Sequence, residues 1–493
     1  YLNSFKIRVK MLFNSFAFIV FFLPITFGVY FVLNKLKFVQ LSIFWLTVAS
    51  LFFYGYWNFI YIPLILGSIT FNFYVGHLLC AHPSRKKLIL WAGVAANLAL
   101  LAYYKYTDFL IENFNGIFGT DVPLHHVILP LGISFFTFTQ IAFLVDCYHE
   151  KVKEPSFLRY ALFVTYFPHL LAGPIIHHAE MMPQFANLRL KHINYKNLSI
   201  GLFLFSIGLF KKVVVADFFA RFALHGFDVY TTLSMSEAWI TSLSYTFQLY
   251  FDFSGYTDMA IGISYMFNIV LPINFNSPYK ALNIQDFWHR WHMTLSRFLR
   301  DYIYIPLGGN RRGEYRTYAN VFAVFLLGGL WHGAGWMFII WGALHGFAMM
   351  ICRFYGAHFR PMNKFLAWFI TFNFINITWI FFRARDLDSA MKVLKGMFDF
   401  SSVKINFNYL EYISNSLGYN QINFMETPQI AIGTFCAIMG ITLLVTIFGR
   451  NSNEMAARAK FGFLTALFTA FLLALVFAFS SGAQESPFLY FNF

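Results

Sequence analysis

The chain has 493 residues, of which 58% are hydrophobic, 22% aromatic and only 12% charged, whereas about a quarter of a soluble domain is charged; a water-solvated fold is excluded. Its formal net charge of +14 does not mark nucleic-acid binding, because Lys and Arg collect in short loops between apolar runs, the positive-inside pattern of a polytopic membrane protein. The four cysteines, Cys80, Cys147, Cys352 and Cys436, lie in or beside apolar segments without CxxC spacing and read as buried free thiols, implying neither a disulfide framework nor a metal.

Apolar runs of roughly 17 to 25 residues cross a bilayer as helices, and about eleven can be placed, with further short or re-entrant pieces. The fold class expected is all-α, an integral helical bundle. Tyr1 to Lys10 is basic and polar and reads as an N-terminal extension, with one membrane domain from 11 to 493. Helices are expected near Phe13 to Leu33, Leu41 to Tyr54, Ile60 to Leu79 and Leu88 to Tyr104, and Arg85, Lys86 and Lys87 between the last two mark a cytoplasmic loop. A helix entered through Pro130 and Gly132 closes at Asp146. The next run, Phe157 to Ile176, carries Pro168 and Pro174; membrane helices tolerate such breaks only where protein or a cavity satisfies the freed backbone.

Leu198 to Phe210, Trp239 to Phe253 and Ala260 to Leu271 follow as helices, the last two joined by FDFSGYTDMAIG. Beyond residue 336 the expected spans are Trp336 to Ile351, Phe365 to Phe382, Ile430 to Phe448 and Phe463 to Phe479. Residues 401–428 form the largest soluble-looking insert, too short for a catalytic domain, and 480–493 form a terminal tail ending in PFLYFNF.

Between Asp286 and His345 histidines, arginines and one acid stand among lipid-like segments. Ionisable residues there are costly and mark functional sites by default. His332 ends an apolar run in GGLWHGAGW, with Gly329 and Gly333 beside it to admit another backbone. His292, in HRWHMTLSRFLRD, is separated from it by one basic loop and one apolar helix, so the two imidazoles can meet inside a bundle. His289 shares a face with His292 if that segment is helical, and its competing reading is an interfacial helix with snorkelling basic residues. Arg300 beside Asp301 reads as a structural ion pair, while Arg297, Arg300, Arg311 and Arg312 are candidates to hold phosphates or carboxylates of a donor.

A lone buried histidine is more often a hydrogen-bonded core residue than a catalyst, and His345 fits that description better than His332. Ser254 between Asp252 and Asp258 lacks a GxSxG turn and reads as helix packing. His177, His178, His289 and His292 evoke metal clusters, yet only scattered pairs occur, so no metal is expected.

The stretches MLFNSFAFIVFFLPI, SLFFYGYW, LPLGISFFTFTQIAFLVDCY, FPHLLAGPI, YFDFSGYTDMAIG, NFNSPYKALNIQDFWHRWHMTLSRFLRDYIYIPLGGNR, GGLWHGAGW and SPFLYFNF resemble the membrane-bound O-acyltransferases. Within them the chain is similar to the alginate and peptidoglycan O-acetyltransferase branch, with the teichoic-acid D-alanyl transfer protein as a cousin. The resemblance implies a tunnel through the bundle, His332 as the catalytic base and His292 as the second polar position, polarising the thioester carbonyl or orienting His332. It also implies acetyl-CoA as acyl-donor substrate with no bound cofactor, a cell-envelope or exported polysaccharide as indirect acceptor, and multi-pass residence in the inner membrane among its lipids. A periplasmic transferase with a serine nucleophile is the partner implied, and Tyr490 in the tail is expected to be an acyl way-station, the competing reading being a tail that only plugs and packs the bundle. His169, His177 and His289 depart from the residues usual in relatives, which leaves the glycan open. The alternatives are D-alanyl transfer and, in another class, a non-covalent transporter or a scaffold.

Overall fold

A computed structural model describes residues 11–152, 156–417, 427–480 and 488–489. Residues 1–10 and most of the tail therefore lie outside the described residues, as does Tyr490. The described chain is helical throughout, with no strand among those residues. Among the described residues nine helices are long and apolar enough to cross a membrane, from Ala17–Lys35 to Phe463–Ser480, with Ile133–Tyr148 as a shorter apolar helix. The surfaces of these spans carry Phe365, Phe463 and Leu464 at 70%, 80% and 79% exposure. Side chains of that size, exposed along whole helices, fit lipid and not water. This is a multi-pass membrane protein.

Two features differ from the sequence reading, the helix around residue 255 and the cysteine exposures, while the break expected after residue 157 is present. The two helices expected on either side of FDFSGYTD form one continuous helix, Met235–Met266, in which Asp252 is paired: the Lys212 ammonium lies 2.7 Å from Asp252 and 2.8 Å from Asp217. The run after residue 157 breaks into Phe157–Thr165 and Phe167–Leu170, as its prolines require. Among the cysteines, all free, only Cys147 is buried; Cys80 and Cys436 are exposed and Cys352 is intermediate.

The chain divides into two compact units. The first comprises residues 1–210, 255–273 and 458–493. Polar groups tie its spans together: Asn72 and Asn97 exchange amide hydrogen bonds of 3.0 and 2.6 Å, and Gln140 donates to Ser68 at 2.9 Å. In an apolar surrounding such pairs glue helices because no solvent competes for them. Lys86 pairs with Glu150, which puts the loop before Lys86–Phe118 and the loop after Ile133–Tyr148 at one end of the unit. From the tail, Phe488 is buried and stacks on Tyr256 with ring centroids 4.5 Å apart.

The second unit comprises residues 211–254 and 274–457. Its frame is a tight hairpin of Glu314–His332 and Trp336–His358. A Cβ on Gly329 would lie 2.3 Å from the Phe338 carbonyl oxygen, and one on Gly342 would lie 2.6 Å from that of Phe325. Backbone meets backbone at this crossing, the small-residue packing of membrane helices. Lys364–Arg383, capped by the Asn363 side chain accepting from Phe365 N, packs beside the hairpin.

Candidate active site

His332 is the last residue of Glu314–His332 and is 4% exposed. The chain turns there because Gly333 adopts extended backbone and the Phe338 ring occupies the place a Cβ would take, 2.1 Å away. Rings wall the imidazole: Trp331, Trp341 and Phe382 have centroids 4.9, 5.1 and 5.1 Å from it. A dry aromatic wall strengthens whatever electrostatic interactions occur inside it. The carbonyl end of the helix also favours the positive charge that a base acquires on taking a proton.

His292 reaches the same tryptophan from another direction, its ring 6.3 Å from that of Trp331 and 4.8 Å from that of Phe253. It separates two short helices, Ile284–Arg290 and Met293–Leu299, and holds a left-handed backbone at φ 44° and ψ 52°. For a residue with a Cβ this conformation is strained by about 1–2 kcal/mol, so neighbouring structure must enforce it.

Asn274 does so, and it is a residue that the sequence reading did not single out. Its backbone carbonyl accepts from Met293 N at 3.0 Å. Its Oδ1 accepts from Thr294 N at 3.2 Å, from Thr294 Oγ1 at 2.9 Å and from His292 Nδ1 at 3.0 Å. A backbone N–H can only donate, so the bond from Thr294 N fixes which end of the amide is oxygen. An oxygen there accepts only, so His292 carries its proton on Nδ1 and presents a lone pair at Nε2. Complete burial pushes this imidazole down to about 3, which keeps it neutral. A neutral Nε2 of this tautomer accepts hydrogen bonds; it does not donate one to a carbonyl.

His345 is built differently. Trp288 Nε1 donates to its Nδ1 at 3.2 Å, and its Nε2 lies 3.0 Å from Thr378 Oγ1, which itself donates to the Ile375 carbonyl at 2.9 Å. Both ring nitrogens are engaged, as expected of a core histidine. His289 is exposed, in keeping with the interfacial reading.

The arginines lie on the stretch that follows. Arg297 is half-buried on Met293–Leu299, and Arg300 is exposed with its Nε 2.7 Å from Asp301. Arg311 and Arg312 are exposed in a loop whose Gly308, Gly309 and Gly313 all take positive φ, at 106°, 56° and 86°. Asn320 Nδ2 holds that loop through the Gly309 carbonyl at 2.9 Å. Arg312 folds over Gly308, its Cδ 2.9 Å from where a Cβ would stand.

Residues 29–385 match the model of MBOAT, the membrane-bound O-acyltransferase family. The chain belongs to this family. It is thus an O-acyltransferase, and the transporter and scaffold readings give way to an enzyme. Among its relatives, a protein of Helicobacter pylori named peptidoglycan O-acetyltransferase is 49% identical over 98% of both chains. The Pseudomonas putida relative, named "probable alginate O-acetylase", is 36% identical over 98% of this chain and 100% of its own. A more distant member, the teichoic acid D-alanyltransferase of Bacillus subtilis, is 30% identical over 51% of this chain and 68% of its own.

Proposed function

We propose that this acyltransferase takes an acetyl group from acetyl-CoA on the cytoplasmic side of the inner membrane and passes it outward for O-acetylation of a cell-envelope or exported polysaccharide of the peptidoglycan or alginate type. What carries the reading is the end-to-end match to an enzyme named for peptidoglycan O-acetylation. That relative and the alginate-named ones are both named for acetyl transfer, which favours acetyl over D-alanyl as the group moved.

His332 acts as general base on the attacking hydroxyl. As the hydroxyl oxygen bonds to the thioester carbonyl carbon, the C–S bond breaks and the proton passes through His332 to the leaving thiolate, so no net proton is consumed. A base positioned in this way contributes about 10²- to 10⁴-fold. His292, with its lone pair at Nε2, orients the hydroxyl or His332 by accepting a hydrogen bond; the tautomer set by Asn274 favours this over polarising the carbonyl. Arg297, Arg300, Arg311 and Arg312 supply positive charge for the donor's phosphates. Tyr490 carries the acyl group as a phenolic ester toward a periplasmic partner whose serine takes it on. Unaided phenol, with an ordinary value near 10, is a weak nucleophile, which is why it requires a base.

The test is transfer from radiolabelled acetyl-CoA by the purified full chain in liposomes, read as thiol release and as label on protein or polymer. Label entering from D-alanyl carrier but not from acetyl-CoA would overturn the choice of donor. Mass spectrometry of muropeptides and of exported polysaccharide from expressing cells identifies the polymer.

A further inference from the structure

Among the described residues, Lys191 is a buried ammonium without an acid. It closes the short turn Leu188–Lys191 in the first unit and is 5% exposed. Its Nζ donates to the phenolic oxygen of Tyr30 at 3.0 Å and stands 5.4 Å from the centre of that ring. An ammonium has three N–H donors, and a neutral phenol uses one. Among the described residues no carboxylate forms an ion pair with it, and the charged group acting on it is another cation, Arg159. Arg159 is half-buried on Phe157–Thr165 and makes no ion pair of its own among those residues.

The position is built, not incidental. Asn268 Nδ2 donates to the carbonyls on both sides of Lys191, to Leu190 at 3.0 Å and to His192 at 2.6 Å. Asn197 Nδ2 in turn holds Asn268 Oδ1 at 3.0 Å. The turn is thereby locked with its lysine pointing inward at Tyr30. Two cations that repel one another, one of them desolvated, form an arrangement that an opposite charge completes. Lys and Arg together match the charge and the several acceptor oxygens of a phosphoryl group better than those of a single carboxylate.

We propose that Lys191 and Arg159 form a binding site for a phosphate group, presented either by an anionic phospholipid headgroup or by a soluble phosphoester. The site belongs to the first unit and the histidines to the second, so it stands whether or not the acyl-donor reading does. Burial, and then the charge of Arg159, pull Lys191 down to about 8. Its ammonium therefore dominates at pH 7 and is mostly lost by pH 9, with Tyr30 and Arg159 the other titratable or charged groups acting on it.

The experiment uses the full chain in nanodiscs and reads thermal unfolding. In phosphatidylcholine discs at pH 7, inorganic pyrophosphate is titrated; in parallel, phosphatidylglycerol replaces part of the lipid. A rise in Tm with pyrophosphate assigns the site to soluble phosphoesters, and a rise with phosphatidylglycerol alone assigns it to lipid headgroups. The affinity for the effective probe should fall about tenfold or more in Lys191→Met and in Arg159→Gln, as expected for the loss of a charge-assisted bond, and should fall for wild type as pH rises from 7 to 9. If Lys191→Met does not fold, Arg159→Gln carries the test, since among the described residues that side chain has no ion pair to lose. No response of the wild type to either probe overturns the proposal, as does an Arg159→Gln response equal to wild type.

Discussion

Replacing Asn274 tests how His292 is held. Asn274→Leu keeps the volume and removes the Oδ1 that accepts from His292 Nδ1, Thr294 N and Thr294 Oγ1. The hydroxyl can rotate, but the Thr294 N–H and the His292 Nδ1–H remain buried with nowhere to donate. Each stranded donor costs about 1–3 kcal/mol, so the pair costs about 2–6 kcal/mol, and the left-handed backbone at His292 loses the contact that enforces it. We expect a loss of about 3 kcal/mol in stability. Turnover should fall about 10²-fold, the penalty of displacing a reacting group by an ångström. Asn274→Asp keeps the acceptor, receives the same three donors and preserves the tautomer, so it should stay within about tenfold of wild type. The assay is thiol release from acetyl-CoA in liposomes, with thermal unfolding of each variant alongside. If the Leu variant turns over at the wild-type rate, or if Asp is as impaired as Leu, the acceptor at Oδ1 is not what positions His292.

His332→Ala should lower acyl transfer by at least about 10²-fold while the protein still inserts and unfolds at its usual temperature; a folded variant with wild-type transfer would remove His332 from the mechanism. His292→Ala should cost less than His332→Ala, because water replaces part of an orienting hydrogen bond. Arg311→Ala combined with Arg312→Ala should raise KM for acetyl-CoA more than it lowers kcat, and labelling that found residues 308–316 outside the cell would defeat the assignment. Tyr490→Phe keeps the ring and removes the hydroxyl, so polymer acetylation should stop if the tail carries the acyl group; acetylation at the wild-type rate would leave the tail only the packing role seen at Phe488.

The all-helical membrane class was legible from composition because lipid as solvent permits few other solutions. His332 at a helix end was legible from the apolar run that stops at GGLWH. Asn274 was not, because its partners stand 18 and 20 residues away and obey no helical or strand period. Only the approach of residues 274–276 to 290–293, sealed by Asn276 N to the Arg290 carbonyl at 2.9 Å, brings them together. The stretch FDFSGYTD misled for a related reason. Gly255 and two acids look like a break, but a Cβ on Gly208 would lie 2.5 Å from the Gly255 carbonyl oxygen, so the glycines serve close helix packing. The acid Asp252 has its lysine 40 residues earlier in the chain. Long-range pairing of this kind leaves no local signal.

Three histidines of the second unit, His292, His332 and His345, carry one lesson in bond accounting. Sequence context ranked them by motif, whereas their chemistry follows from which ring nitrogens are already occupied. His345 has both nitrogens engaged, by an indole donor and a hydroxyl acceptor, and has no atom left to offer a substrate without breaking a buried bond. His292 directs its Nδ1 at the Asn274 amide, and because that amide is itself oriented by a backbone N–H, a peptide bond two residues away decides that Nε2 holds the lone pair. His332 is surrounded by rings, at a helix end whose dipole welcomes a proton. The division of labour proposed for His332 and His292 therefore rests on the amide of Asn274 and on the end of one helix, and a substitution at either place should disturb the chemistry without touching an imidazole.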